Sequence, residues 1–447
     1  MLIKNYSLVS DTKQKRDLLK AVDHAVSYSM PKNIINNILK KTGNSIFVNN
    51  KKAADFKKNR IFVIGAGKAS GKMAEVFEKI VGAKNITAGS INYKGRKPKT
   101  KKIKAVLAGH PLPNEASIRG TEKILNLKKK YEIGKEDVIF CLVSGGGSAL
   151  LEKPADGIIL SDMQKTTKEL LYCGASINEI NAIRQELSKV KGGKLARYFY
   201  PAKIYSLIIS DVIGNDLKTI ASGPTVNIRN KDSAFLLIKK YNLENKIPNL
   251  VFKKIQDPYV IYKKFPKVEN IIISDVNDMI DVAKEKFEAF GYKTTILNRR
   301  VTGETKDQAK KYAKKIVSLS KKNELSKFQK TAYIFGGETT VTINNKKGKG
   351  GRNQEFAAVF LNEMKEFDGK WAFISCASDG TDFLDGVAGG IVDYKTFEII
   401  KNKKIDINKY LETHNSYNFL KKVNGLIFMG NGTGTNVCDI QVCVVWK

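Results

Sequence analysis

The strongest constraint on the fold is a repeated local order: an apolar strand-like segment, a glycine-rich turn, then a helix-like segment. Residues 60–65 (RIFVIG) lead into the turn GAGKASG at 65–71 and a helical pattern at 69–82. The apolar segments 137–143 and 204–209 likewise end in polar turns. Strands that are apolar throughout and alternate with helices are typical of a parallel sheet covered on both faces. The sequence therefore predicts an α/β fold.

Two domains are expected, because 447 residues exceed the size of one ordinary domain. The stretch 230–268 is lysine-rich and irregular, and a second alternation of strands and helices begins at residue 270. We therefore predict an N-terminal domain over residues 1–262 and a C-terminal α/β domain over residues 263–447.

Several protein classes are disfavoured by what the sequence lacks. No apolar run approaches the ~20 residues of a membrane helix, and residues 1–20 do not resemble a secretory signal. The five cysteines include no C-x-x-C pair, and His24, His110 and His414 are far apart in the chain. This pattern argues against a disulfide framework and a structural zinc site. We expect a cytoplasmic protein.

The net charge of +34 raises the possibility of a nucleic-acid-binding protein. Only ten of the 78 basic residues are arginine, and the 68 lysines are spread along the whole chain. Arginine is the favoured residue for reading bases and for bidentate phosphate contacts, whereas lysine is a solvated point charge. We therefore predict a solvated basic surface and no nucleic-acid partner. Nucleic-acid binding remains an alternative that rests on charge alone.

Two turns in the first half are candidate anion sites. The turn at 65–71 contains Gly67 and Lys68, and the turn SGGGS runs from Ser144 to Ser148. Glycines let the backbone approach a ligand, and successive N–H groups can surround a phosphate. The first turn is not a P-loop, because G-x-x-x-x-G-K-[ST] is absent. Tight turns without a ligand remain the alternative for both.

Carboxylates follow the strand at 204–209, where the turn SDVIGND contains Asp211 and Asp216. A carboxylate there could accept the proton of a substrate hydroxyl or hold Mg²⁺. A helix cap or a turn explains these residues comparably well. Arg184, which precedes a Gly-Gly-Lys turn, could supply a further cation, with ordinary helix termination as the alternative.

The second half carries four more polar loops, one of which is the hydroxyl-and-glycine loop GNGTGTN at 430–436. FGGE ends at Glu338, GGRNQE contains Arg352, and SDGTD contains Asp379. The guanidinium of arginine suits phosphates or a carboxylate, although a surface ion pair is an equally ordinary role. Turn chemistry also accounts for the acids. A mixture of anion-binding and metal-binding loops at strand ends favours phosphoryl transfer.

Together these segments resemble the class of glycerate kinases that carry a C-terminal MOFRL domain. The resemblance extends from about residue 15 to the end of the chain and rests on VIGAGKASGKMA, GHPLPNEAS, LVSGGGSALLEKP, SDVIGNDLKTIASGPTV, FGGETTVTINNKKGKGGRNQE, ASDGTDFLDGVAGGIVD and GNGTGTNVCDIQV. It implies phosphorylation of D-glycerate at the 2-hydroxyl, with ATP and Mg²⁺, to give 2-phosphoglycerate. It also implies a larger Rossmann-like domain, a smaller α/β domain and an active site in the cleft between them.

The resemblance also implies roles for individual residues. Lys68 and Arg352 are expected at the transferring phosphate, and Asp211 is expected to orient or deprotonate the substrate hydroxyl. The residues expected to bind substrate or phosphate are Gly67, Ser144, Gly145, Gly146, Gly147, Ser148 and Arg184. The residues expected near the nucleotide are Gly336, Gly337, Glu338, Asp379, Thr433, Thr435 and Asn436. The expected metal ligands are Asp216 and Asp379.

The chain departs from the family pattern at two places. Asn431 and Gly432 stand where the family usually has Gly-Pro, and Asn215 replaces an acid of the SDVxGD motif. The main alternative function is an NAD(P)-dependent hydroxypyruvate reductase. The absence of a clear ribose-binding acid and the presence of the second-half loops disfavour it. Small molecules are the expected partners, and a homodimer is left open.

Overall fold

The computed structural model describes residues 1–228, 234–257, 264–322, 330–343, 348–430 and 432–446. The chain divides into two compact units. Pro31–Ile273 form one, here called the parallel-sheet unit, and Met1–Met30 with Ser274–Lys447 form the other, here called the mixed-sheet unit. This grouping differs from the predicted division at 262/263, chiefly because the first thirty residues belong with the second half of the chain.

The helices of the described residues are numbered in chain order. They are α1 (Tyr6–Val9), α2 (Lys13–Tyr28), α3 (Pro31–Ile38), α4 (Ser70–Val81), α5 (Glu115–Tyr131), α6 (Gly147–Leu150), α7 (Leu160–Tyr172), α8 (Ile177–Glu186), α9 (Lys194–Tyr198), α10 (Ala234–Lys240), α11 (Asn249–Gln256), α12 (Val276–Ala289), α13 (Thr305–Lys322), α14 (Arg352–Glu363), α15 (Thr396–Asn402), α16 (Ile407–Glu412) and α17 (Ser416–Lys422). Every one of these described helices is too short or too polar to cross a bilayer.

The strands are numbered in the same way. They are β1 (Leu39–Thr42), β2 (Ser45–Val48), β3 (Lys51–Asp55), β4 (Ile61–Gly67), β5 (Ala88–Tyr93), β6 (Ile103–Leu107), β7 (Val138–Val143), β8 (Lys203–Ile209), β9 (Val268–Ser274), β10 (Lys293–Glu304), β11 (Lys330–Thr340), β12 (Lys370–Ala377), β13 (Val387–Asp393), β14 (Leu426–Phe428) and β15 (Asp439–Trp446).

The parallel-sheet unit is built on a six-stranded sheet in the order β6-β5-β4-β7-β8-β9. The strands from β6 to β8 pair in parallel. Successive strands are added outward from β4 in one direction and then from β7 in the other, so the winding reverses between β4 and β7. In doubly wound sheets, ligands bind at the carboxyl ends of the strands beside such a reversal. A small antiparallel sheet, β1-β2-β3, precedes β4.

Every residue of β4 and β7 is buried, as their apolar sequences predicted. Phe62 and Ile64 of β4 belong to the same hydrophobic cluster as Ile139 and Cys141 of β7. Full burial of one large aliphatic or aromatic side chain contributes roughly 1.5–3 kcal/mol. The two strands that flank the reversal are therefore a rigid support for the turns at their carboxyl ends.

The mixed-sheet unit contains a six-stranded sheet in the order β10-β11-β15-β12-β13-β14. Only β10 and β11 pair in parallel, and the other neighbours are antiparallel. Its core includes stacked aromatic rings, with the centroids of Phe360 and Phe373 3.9 Å apart. The sequence predicted the alternation of helices and strands here, but not that β15 lies in the middle of the sheet.

The N-terminal helices are held in the mixed-sheet unit by polar as well as apolar contacts. The Lys15 ammonium lies 3.3 Å from Asp393, and both side chains are almost fully buried. The Tyr292 hydroxyl donates to Asp17 at 2.8 Å. The apolar pattern of α2 shows which face is buried, but not which core covers it. This is why the sequence placed residues 1–30 in the other domain.

Candidate active site

The turns after β4 and β7 interlock at the winding reversal. The backbone N–H of Lys68 donates to the Gly145 carbonyl at 2.8 Å, and the N–H of Ala69 donates to Ser144 Oγ at 2.9 Å. A Cβ on Gly67 would lie only 2.1 Å from that Oγ, and the residue has φ +149°. Glycine is therefore required at position 67 to let the two turns meet, and their contact fixes the backbone of Lys68.

The three glycines of the second turn have side chains packed directly against them. A Cβ on Gly145 would lie 1.7 Å from Asp211 Oδ2, and one on Gly146 would lie 3.1 Å from Cγ of Lys68. A Cβ on Gly147 would lie 2.6 Å from that of Ala221. The structure thus brings Lys68 and Asp211, predicted from separate motifs, to the same short turn.

His110 is a third side chain at this turn, and the sequence reasoning missed it. A Cβ on Gly146 would lie 3.0 Å from its Nε2. Burial, with the nearby charges of Lys68 and Lys94, lowers the pKa of His110 to about 4. The imidazole is therefore neutral at neutral pH. The signal in the sequence was its position just after β6, at the same edge of the sheet as the other turns.

Two other predicted residues of this unit form hydrogen bonds to side chains or backbone groups within it. Ser148 Oγ lies 2.9 Å from Ser222 Oγ, which in turn donates to Asn181 at 3.0 Å. The Asp216 carboxylate accepts from the Thr219 hydroxyl at 2.7 Å and from a backbone N–H at 3.1 Å. These are the contacts of a turn cap. The metal role of Asp216 stays a prediction.

A small cavity lies beside the glycine turn. Its volume is about 90 Å³, enough for several water molecules. The lining residues are His110, Pro111, Leu112, Pro113, Gly146, Ser148, Ala149, Glu152, Met163, Gln164, Thr167 and Arg184. Arg184, predicted to bind substrate or phosphate, therefore lines a cavity that also reaches the glycine turn.

Arg352 is the first residue of α14 in the mixed-sheet unit, and two carboxylates hold its guanidinium. Nε and Nη2 donate to Asp439 at 2.5 and 3.0 Å, while Nη1 lies 3.0 Å from Glu338. Burial disfavours the charge, but the two carboxylates outweigh it and raise the pKa of Arg352 above its usual value. The sequence predicted Glu338 and Arg352 as site residues but missed Asp439.

Asp382 caps the N-terminus of α14 from a different loop. Its carboxylate accepts the backbone N–H groups of Asn353 at 3.1 Å and Gln354 at 2.9 Å. The helix begins after Gly351, where a Cβ would lie 2.5 Å from Asp382 Oδ2. Burial raises the pKa of Asp382 to about 6, although these N–H groups oppose the shift. The sequence reasoning noticed this acid in SDGTD but favoured Asp379.

The predicted nucleotide loop at 433–436 is held by its own polar groups. Thr433 Oγ1 donates to the Ser378 carbonyl at 2.6 Å, and Thr435 Oγ1 donates to the Ser29 carbonyl at 2.8 Å. Asn436 Oδ1 accepts the N–H of Cys438 at 3.3 Å. The two threonine hydroxyls thus support the fold, and nucleotide binding by this loop stays a prediction. Asn431 lies outside the described residues.

Gly336 and Gly337, also predicted near the nucleotide, lie within β11. A Cβ on Gly336 would lie 2.8 Å from the Asp439 carbonyl, and one on Gly337 would lie 2.1 Å from the Val301 carbonyl. Both glycines therefore allow close packing of neighbouring strands just before Glu338.

A divalent metal would find few protein ligands here. Within the described part of the chain, no three His, Cys, Asp or Glu side chains cluster as they would around a metal ion. Asp379 accepts the N–H of Thr381 at 2.9 Å. Mg²⁺ nevertheless often uses only one or two carboxylates and takes its other ligands from phosphates and water. Single acids such as Asp216 and Asp379 fit that mode of binding.

Comparison with known proteins agrees with the fold and the motifs. Residues 17–256 match the domain of unknown function DUF4147, and residues 331–439 match the MOFRL family. The glycerate 2-kinase of Pyrococcus horikoshii is 36% identical over 96% of both chains. This chain belongs to the glycerate 2-kinase family. The resemblance inferred from the sequence is confirmed.

Further relatives and a solved structure are similar to this chain in sequence and in fold. The D-glycerate 2-kinase of Thermotoga maritima is 34% identical over 87% of this chain and 91% of its own. The crystal structure of the Thermotoga maritima glycerate kinase superposes with a TM-score of 0.82, covering 96% of this chain and 99% of that one at 32% identity. An Agrobacterium vitis protein with the provisional name hydroxypyruvate reductase is 32% identical over 86% of this chain and 99% of its own. The predicted α/β fold is confirmed.

Proposed function

We propose that this chain transfers the γ-phosphoryl group of ATP to the 2-hydroxyl of D-glycerate, giving 2-phosphoglycerate and ADP. The observation that carries the proposal is the convergence of Lys68 and Asp211 on one glycine turn at the winding reversal of the parallel sheet. A cation and a carboxylate beside backbone N–H groups are what transfer of a phosphoryl group to a hydroxyl requires. Membership of the glycerate 2-kinase family supports the choice of substrates.

In the parallel-sheet unit, the turn at 144–148 binds phosphate or substrate through its backbone N–H groups. Lys68 neutralises charge on the transferring group, and Asp211 orients or deprotonates the 2-hydroxyl of glycerate. Loss of one such charge-stabilising group costs about 10²–10³ in rate. The fixed backbone of Lys68 supports this role, because little reorganisation is then needed during the reaction.

In the mixed-sheet unit, Arg352 is the second catalytic cation. Its bidentate contact with buried Asp439 fixes the guanidinium plane, while Nη1 faces the half-exposed Glu338. The loops that carry Glu338, Asp379 and Asn436 are proposed to bind the nucleotide. Mg²⁺ on the nucleotide phosphates would neutralise part of their charge, with Asp216 or Asp379 as its candidate protein ligand.

The reductase alternative is disfavoured by the second strand of the parallel sheet. Dinucleotide-binding folds of this order usually place an Asp or Glu after that strand to bind the ribose hydroxyl of NAD. Here β5 ends at Tyr93 and is followed by Lys94 and Gly95. Arg96 comes next, and an arginine can accept the 2′-phosphate of NADP. NADPH therefore belongs among the cofactors tested.

The decisive assay supplies D-glycerate, ATP and Mg²⁺ and couples the product to enolase, so that only 2-phosphoglycerate gives a signal. We expect activity that is lost in Lys68→Ala and Arg352→Ala. Lys72→Ala is the matched control, because Lys72 is an exposed lysine of α4 paired with Glu75. Consumption of ATP without an enolase signal would mean that the protein is a kinase, but that its acceptor substrate or the hydroxyl it phosphorylates differs from the proposal. NADPH-dependent or NADH-dependent turnover of hydroxypyruvate, with no phosphoryl transfer, would overturn the proposal.

The proposed reaction also indicates where the protein acts in the cell and which partners it binds. Both proposed substrates are small, water-soluble metabolites, so we place the protein in the cytoplasm with small-molecule partners. A nucleic-acid partner has only the net charge in its favour, and salt-sensitive retention of DNA or RNA on a filter would reveal one.

A further inference from the structure

The charged residues that line the cavity beside the glycine turn are Arg184 and Glu152, and the cavity volume is about 90 Å³. We infer that Arg184 binds the carboxylate of the acceptor substrate in this cavity, an inference that rests on the proposed function. Arg184 thereby selects small hydroxy acids over neutral polyols. Gly146 and Ser148 line the same cavity, so an acid held by Arg184 has its hydroxyl close to the turn where Lys68 and Asp211 lie.

Arg184 has unused hydrogen-bonding capacity. It lies in the last turn of α8 and is only partly exposed, and no hydrogen bond or ion pair joins its guanidinium to any other residue that the structure describes. Burial lowers the pKa of Arg184, with partial compensation from the charge of Glu152. A guanidinium has five N–H donors in a planar fork that matches a carboxylate. A ligand carboxylate would satisfy donors that the described protein groups leave unmatched.

Glu152 does not neutralise Arg184 because it already has another partner. Its carboxylate lies 2.9 Å from the Lys191 ammonium, and the two side chains are 2% and 0% exposed. Lys191 also donates to the carbonyls of Ser148 and Leu151, both at 2.8 Å. The group of Arg184, Glu152 and Lys191 therefore keeps one positive charge in excess. That excess favours an anion in the adjoining cavity.

His110 completes the wall without adding charge. Its neutral imidazole has one nitrogen that donates and one that accepts, so it can form a hydrogen bond with the substrate, while the charge that attracts the carboxylate comes from Arg184. Pro111, Leu112 and Met163 add apolar surface to the lining. Ser148, Gln164 and Thr167 also line the cavity, which therefore combines one cation for a carboxylate with several neutral hydrogen-bonding groups.

The test measures equilibrium binding of D-glycerate to the full chain by calorimetry, without nucleotide, and then kcat/KM with ATP. We expect Arg184→Met to weaken D-glycerate binding by at least about 30-fold, as when one partner of a buried charge pair is lost. The KM for ATP should stay within about threefold of wild type. Binding of glyceramide, the neutral amide of the same acid, should change by less than about threefold. Arg184→Lys keeps the charge without the planar fork and should give an intermediate affinity.

Arg119→Met is the matched control, because Arg119 is exposed on α5 in the same unit, and it should bind D-glycerate like wild type. Equal losses for glycerate and glyceramide in Arg184→Met would overturn the inference by showing a structural role. So would unchanged binding of glycerate. Arg184-dependent binding of D-glycerate without phosphoryl transfer would support the inference while the proposed function fails. If wild type phosphorylates D-glycerate and the Arg184 variants keep its KM, the function stands and the inference is wrong.

Discussion

The carboxylate of Asp439 forms a bidentate pair with the guanidinium of Arg352, with Nε–Oδ2 and Nη2–Oδ1 distances of 2.5 and 3.0 Å. Asp439 is the first residue of β15 and is 1% exposed, whereas Arg352 is the first residue of α14 and keeps 30% of its side chain accessible. A buried acid on the central strand thus sets the direction of a partly exposed cation.

Asp439→Asn should reduce kcat more than it changes the KM for either substrate. The amide keeps the shape but loses the charge that holds the guanidinium, and a displacement of about 1 Å can cost 10²-fold in rate. We expect a fall of that order in the enolase-coupled assay. Asp281→Asn is the control, because Asp281 forms a similar pair with Arg299 in the same unit but outside the predicted site. A loss of comparable size in both variants would contradict a positioning role for Asp439.

Gly145→Ala should abolish most activity without unfolding the chain. The added methyl would lie 1.7 Å from Asp211 Oδ2, so the carboxylate must move from the turn. We expect kcat to fall by about 10²-fold or more, on the scale of a displaced catalytic group. Gly134→Ala is the control, since its nearest neighbour would be 3.9 Å away. Full activity in Gly145→Ala would show that the contact between Asp211 and the turn is dispensable.

The pKa of His110 should depend on Lys68. Burial is the first cause of its low value of about 4, and the charge of Lys68 is the next. Lys68→Ala should therefore raise the pKa of His110 part of the way toward its ordinary value near 6.5, as measured by NMR titration of the imidazole resonances. His110→Gln assigns the signal among the three histidines of the chain. Lys72→Ala should cause no shift, and an unshifted His110 in Lys68→Ala would show that the two side chains are not electrostatically coupled.

Asp382 should make the protein less stable as pH rises from about 4 to 6.5. Its pKa is raised from 3.8 to about 6 by folding, so the native state binds the proton more tightly than the unfolded chain does. Its contribution to stability is therefore present at low pH and is lost as pH rises through 6. A shift of this size corresponds to roughly 3 kcal/mol at most.

Urea unfolding of wild type and Asp382→Asn at several pH values measures this contribution. The difference in unfolding free energy, wild type minus variant, should decrease by about 1–3 kcal/mol between pH 4 and pH 6.5. Taking the difference removes the contributions of the other carboxylates, which both proteins share. A difference that is constant with pH, or that increases, would mean that Asp382 titrates near its ordinary value.

The sequence was informative wherever local pattern decides the structure. Lys68 and Asp211 follow buried parallel strands, whose uninterrupted apolar sequences mark them and whose carboxyl ends share one edge of the sheet. Their placement near one another could therefore be predicted. The predicted helix at 69–82 agrees with α4 (Ser70–Val81), because its apolar positions repeat at helical spacing.

The remaining features depend on contacts that are distant in the chain. Asp439 meets Arg352 across 87 positions, and Asp382 caps a helix that begins thirty residues earlier in the chain. His110 is an isolated histidine in the sequence, and only the pairing of β6 with β5 brings it to the edge of the sheet where the other turns lie. The hydrophobic pattern of one segment cannot predict such partners, because it shows which face of the segment is buried but not which distant residue contacts that face.

The chain order of the mixed-sheet unit has a consequence for how the protein is made. Residues 1–30 and 274–447 form one unit, and its central strand, β15, comes after every other strand in the chain. The parallel-sheet unit is continuous, so it can fold on a ribosome while the rest is still being synthesised. The first helices must wait, with an apolar face uncovered, for strands synthesised hundreds of residues later. The protein should therefore be most vulnerable to aggregation and proteolysis during synthesis, and a nascent chain that stalls before β15 should retain one working core and never acquire the other.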